Sequence, residues 1–192
     1  MFGKVLGLVV SFLMIRYLGP SSFGELSFAL AFTTIIAAVG ALGLDSFIIR
    51  EIIREPLKKG EILGTSLGMR LAVNLLLIPT SIGIYLCFHH FSATPGNSLT
   101  LVIALLSLAS FFKSFNVIDS YFQSQVQSKY VVQVQNACVI ISALIKILLV
   151  WFNASLIYFA MALAFDALML AAGLVWMYHR RGFDMSSWTF NM

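Results

Sequence analysis

Lys146 and Asp166 each stand inside a long, otherwise uncharged apolar run. A charge held in hydrocarbon costs about 2.5–3.5 kcal/mol on an insertion scale, so each needs a partner or a polar space to face. Only the turn Asn153-Ala154-Ser155 separates the two runs, which makes them an antiparallel helix pair. With a rise of about 1.5 Å per residue, the two side chains stand roughly 7 Å apart in depth, a gap that a lysine can cover. Two readings stand. The pair lines a cavity that handles a charged substrate or a coupling ion, or it is a structural ion pair within a bundle.

Arg16, Asp45, Arg50 and Arg70 sit at the ends of apolar runs. Interface anchoring accounts for most residues of this kind. If several faced one cavity, arginine would suit a diphosphate, because its planar fork pairs two oxygens at once. Lys113, close to the end of its run, can snorkel to the surface. Asn74, Asn116, Gln133, Gln135 and Asn136 add polar atoms to the runs, as interhelical hydrogen bonds or as cavity lining.

Bond-making chemistry has little to work with. There is no Ser/His/Asp set, no phosphate-cradling glycine loop before a helix, and no carboxylate pair at catalytic spacing. Cys87 and Cys138 lie in separate runs, and the adjacent His89 and His90 lack cysteine or carboxylate support. Neither a disulfide framework nor a metal site follows from them. No catalytic residue, metal or cofactor is expected, and the chain is expected not to be an enzyme.

The elements that must position these residues are membrane spans. Hydrophobic residues make up 60% of the 192 and charged residues 10%, and the mean hydropathy is +0.95. A soluble domain of this size lacks the interior to hide so much apolar surface. A spanning helix needs roughly 20 apolar residues. Six runs qualify: Met1 to Tyr17, Leu26 to Leu44, Leu67 to Phe88, Leu99 to Ile118, Val131 to Phe152 and Leu156 to Tyr178. The expected fold is all-α, a polytopic transmembrane bundle of about six spans.

Punctuation between the runs is clear. Leu18-Gly19-Pro20-Ser21-Ser22 stops the first, and Ser22 with Glu25 has capping-box spacing for the second. The charged stretch from Asp45 to Glu61 is partly amphipathic and is expected at the surface. Pro79 is expected to kink the third run. Pro95-Gly96-Asn97 marks a turn. Asp119 to Tyr130, rich in Gln and Ser, reads as a linker. Gln123 to Gln127 and Val132 to Gln135 alternate with period two, a strand signal, but a lone strand cannot pair its backbone in lipid, so helix is expected.

Charge sets the topology. One side collects Lys4, Arg50, Arg54, Lys58, Lys59, nearby Arg70, Lys113, Lys129, Arg180 and Arg181, while the other holds Arg16. The positive-inside rule then places both termini in the cytoplasm. The formal charge is only +4, and its basic residues fall between apolar runs, so nucleic acid is not an expected partner.

One stretch is more specific. Arg16-Tyr17-Leu18-Gly19-Pro20-Ser21-Ser22-Phe23-Gly24-Glu25-Leu26 resembles the Wzx-type polysaccharide biosynthesis flippases of the multidrug/oligosaccharidyl-lipid/polysaccharide exporter superfamily. Gly40-Ala41-Leu42-Gly43-Leu44-Asp45 and Ile49-Arg50-Glu51 look like that family's second helix entering a basic cytoplasmic loop. The resemblance is strongest over residues 4 to 60. It implies translocation of lipid-linked oligosaccharides, such as O-antigen precursors, across the plasma (inner) membrane. It also implies alternating access between two six-helix lobes around a cation-lined cavity. Arg16, Asp45, Arg50 and Arg70 would be the first to meet the anionic headgroup.

Such exporters carry about 12 to 14 spans, so residues 1–192 are expected to form one N-terminal lobe. Trp188-Thr189-Phe190-Asn191-Met192 looks like the approach to a seventh span. The implied partners are the bilayer, the lipid-linked oligosaccharide, and a second lobe or a homodimer partner. A cation-coupled drug exporter of the same superfamily is the nearest alternative, with Asp45 and Asp166 as its only intramembrane acids. A membrane glycosyltransferase or polymerase is disfavoured by the short outer loops. A truncated, non-transporting membrane protein is a further alternative.

Overall fold

The computed structural model describes residues 2–41, 44–90, 97–181 and 188. Its helices are α1 (Phe2–Ala41), α2 (Leu44–Arg54), α3 (Lys59–His90), α4 (Asn97–Phe112), α5 (Val117–Ser124), α6 (Ser128–Trp151) and α7 (Leu156–Arg180). Short 3-10 turns at Pro56–Lys58 and Lys113–Asn116 link them, and no strand occurs among the described residues. The period-two segments are helical or in a turn, because a helix satisfies its backbone without a neighbour.

Among the described residues, five helices are long and apolar enough to cross a membrane. The first of these is folded. α1 runs 40 residues, about 60 Å at helical rise and twice a bilayer's hydrocarbon depth. At Gly19 its backbone turns to φ 71° and ψ 171°, a region open essentially to glycine alone. Pro20 then opens the second arm, where its missing N–H costs nothing. Gly7 and Met14 of the first arm and Leu26 and Leu30 of the second line the same cavity. The chain therefore doubles back, and the six expected runs are these five helices with the first counted as two arms.

The expected capping box is corrected by this corner. Helix starts at Pro20, so Ser22 already lies in the first turn and cannot cap it. The third run also begins earlier than expected, at Lys59, and α3 continues through Pro79 as one helix. Pro95 and Gly96 of the expected turn, and residues 189–192 of the expected approach to a seventh span, lie outside the described residues.

The Gln-rich linker is a second correction. Residues 117–124 form α5, and Tyr121 and Phe122 on it are buried. Their rings pack edge-on against Tyr178 of α7, at 5.5 and 6.5 Å between centroids. Gln125 and Gln127 instead occupy the turn to α6. There the Gln127 and Val126 amides donate to the Phe122 and Gln123 carbonyls at 2.8 and 3.0 Å. This is a Schellman ending with Val126 in the left-handed slot, at φ 58°. α6 ends the same way, with Asn153 at φ 52° and the Ala154 amide on the Leu149 carbonyl at 3.0 Å.

Two clusters hold the bundle, one toward each end. Ile48 and Ile52 of α2 pack with Leu63, Tyr121, Phe122 and Tyr178, which anchors the amphipathic segment by its apolar face. Val10, Met14, Leu26, Ile103 and Phe159 form the other. α7 presents Ala160, Ala162, Ala164 and Ala171 to its neighbours, the small residues that let helices approach closely in lipid. Leu8, Phe12, Leu75, Leu76, Leu144 and Trp151 point outward, where only hydrocarbon is a good solvent for them.

Candidate functional site

α6 carries a polar stripe. Gln135, Cys138, Ser142 and Lys146 recur at spacings of three and four, so they share one helical face. That face looks into an open cavity of about 540 Å³ bordered by both arms of α1 and by α7. Most of the wall is apolar, with Val10, Met14, Leu26, Leu30 and Leu163 among its residues.

The charges meet inside it. Lys146 Nζ donates to Asp166 Oδ2 at 2.7 Å, and Ser142 Oγ donates to the same oxygen at 2.8 Å. The side chains are 13% and 24% exposed, enough shielding to strengthen the attraction well beyond its value in water. Asp166 Oδ1 is buried and has no hydrogen-bond partner among the described residues. The two side chains form an ion pair, and both line the cavity. Ser142 was not singled out from the sequence, although it lies one helical turn from Lys146 and so on its face.

The other four candidates lie elsewhere, and none of them lines this cavity. Asp45 of α2 and Arg70 of α3 form an ion pair, and Ser120 Oγ of α5 donates to the same carboxylate oxygen at 3.1 Å. Arg70 is 11% exposed against 62% for Asp45, and the Arg70 Nε is buried without a partner among the described residues. The pair ties α2, α3 and α5 together near one end of the bundle. Arg50 is exposed on α2 and stacks on Phe47 at 5.7 Å. Arg16 is exposed at the far end, beside Tyr17, whose hydroxyl donates to the Ala154 carbonyl at 3.1 Å. The length of α6 separates that end from Asp45, roughly 36 Å at helical rise.

Among the intramembrane amides, Asn74 is a bridge rather than a wall residue: its Nδ2 donates to Ser114 Oγ at 2.9 Å. Ser81 and Ser107 join α3 to α4 in the same manner, at 2.7 Å. Gln135 faces the cavity.

A family model described as a polysaccharide biosynthesis protein matches residues 1–191. No curated protein and no solved structure matches.

Proposed function

The chain belongs to the polysaccharide biosynthesis protein family, and from that premise we propose that it forms a six-pass lobe of an exporter that flips lipid-linked oligosaccharide precursors across the plasma membrane. The observation that carries the reading is a hydrogen-bonded charge pair set in an apolar cavity within the spans. A purely structural pair needs no open space beside it. Here the space lets an anionic headgroup compete with Asp166 for Lys146, while the lipid tail stays in the bilayer.

Asp166 then needs another counter-charge, and its unpartnered Oδ1 gives a coupling cation a place to bind. Exchange of Lys146 between Asp166 and the substrate diphosphate would trade one lobe position for the other. The second lobe would come from further spans or from a second copy. Lys58, Lys59, Lys113, Lys129, Arg180 and Arg181 flank helix ends on one side of the bundle, and the positive-inside rule would make that side cytoplasmic. On this reading the work is transport rather than bond making.

Charge reversal tests the proposal in cells that depend on this protein for surface polysaccharide. Lys146→Asp and Asp166→Lys should each abolish export. Combined, they should restore insertion and protein level but not export, because the substrate now meets a carboxylate where the ammonium stood. Wild-type export by the double variant would reduce the pair to a structural role. Normal polysaccharide with lost resistance to cationic drugs would instead favour the drug-exporter alternative.

A further inference from the structure

A second groove lies between α6 and α7, and Cys138 is the wall residue it shares with the cavity. It holds about 540 Å³ between Val134, Ile141, Met169, Gly173 and Trp176. Gly173 closes its floor, since a Cβ there would stand 2.6 Å from Val134 Cγ1. The groove runs from Gln133 to Ile141 along α6 and from Met177 to Met169 along α7. Eight steps of helical rise give it a length of about 12 Å, close to the roughly 15 Å hydrocarbon depth of one leaflet.

Its upper end opens into a polar notch of about 480 Å³ formed by Tyr130, Arg180 and Arg181 and sharing Gln133 and Met177 with the groove. Arg181 lies over the Tyr130 ring at 3.5 Å and Arg180 over the Trp176 ring at 5.0 Å. Lys129 Nζ is 4.9 Å from the Tyr130 centroid. Stacking uses the flat face of a guanidinium and leaves its in-plane N–H donors available. No carboxylate among the described residues pairs with these three cations.

We infer that this composite groove binds an anionic bilayer phospholipid. Its phosphate sits between Arg180 and Arg181, and one acyl chain lies in the apolar groove against Trp176. Charge complementarity fixes the headgroup, and the single-leaflet length fits an acyl chain rather than a long polyprenyl tail. The site needs only a membrane-embedded α6–α7 pair and stands apart from the transport reading.

The test uses the full chain in phosphatidylcholine vesicles and the fluorescence of Trp176. Phosphatidylglycerol with brominated acyl chains is compared with brominated phosphatidylcholine at equal mole fraction. Quenching should show a preference for phosphatidylglycerol of about fivefold per engaged arginine. The excess should vanish in Trp176→Phe, which identifies its source, and in Arg180→Gln/Arg181→Gln. Ala172→Phe, an exposed groove position, should lower it while leaving both arginines in place. Equal quenching of the unaltered protein by the two lipids would overturn the inference, and that comparison needs no variant to fold. A preference that survives the double arginine variant would overturn it as well. So would relief of quenching by a polyprenyl diphosphate at a ratio where unlabelled phosphatidylglycerol has no effect, since the occupant would then be the carrier lipid.

Discussion

An ammonium at Lys146 without Asp166, or a carboxylate at Asp166 without Lys146, would be an uncompensated charge in a shielded cavity. Breaking such a pair costs about 3–5 kcal/mol, while replacing both partners by apolar side chains of similar size is close to neutral. Lys146→Met or Asp166→Leu alone should therefore lower thermal stability in detergent, and the Lys146→Met/Asp166→Leu double variant should recover most of it. Additive losses in the double variant would mean that the two side chains do not interact. This pair was legible in the sequence, because a charge in an apolar run is conspicuous and helical rise fixes its depth. Ser142 was less legible, since a serine in a span is ordinary until its acceptor is known. Arg16, Asp45, Arg50 and Arg70 were grouped as residues at run ends, and the fold pairs Asp45 with Arg70, leaves Arg50 exposed on α2 and sets Arg16 at the far end. The charge map already set Arg16 on the other side, and the Tyr17–Ala154 hydrogen bond agrees with that.

Single residues also decide how the elements are cut. Gly19 turns one long helix into two arms, and its positive φ rather than crowding is the constraint, because a Cβ there would meet nothing within 4 Å. Gly19→Ala should destabilise the folded chain by about 1–3 kcal/mol, read as a lower melting temperature. Gly24→Ala, at an exposed helical position with equally open space, should be neutral or stabilising. An equal effect at both positions would contradict the hairpin corner. The Gly-Pro stop was readable, since these residues break helices wherever they fall. That the break is a one-residue corner was not, because it depends on both arms packing around one cavity. α5 was hidden for a related reason. Its Gln123 and serines look like a linker, and only the burial of Tyr121 and Phe122 against Tyr178 makes it a packed helix.

Across the whole molecule, the apolar runs and their number were open to reading from composition alone. Those properties follow from the bilayer acting as solvent. What was hidden is which face of each helix turns inward, since spans that are apolar all round carry little periodicity to say so. The cavity and the α6–α7 groove both arise from that hidden choice. The direct measurement is flipping in proteoliposomes. Vesicles carrying the full chain and a fluorescent lipid-linked oligosaccharide are exposed to a membrane-impermeant quencher, and the inner-leaflet headgroups that become accessible are counted. The account predicts that unaltered protein exposes this protected pool and that Lys146→Met/Asp166→Leu, though stably inserted, leaves it protected. Flipping by the double variant at the unaltered rate would contradict the role given to the charge pair, and no flipping by the unaltered protein together with its second lobe would contradict the transport reading itself.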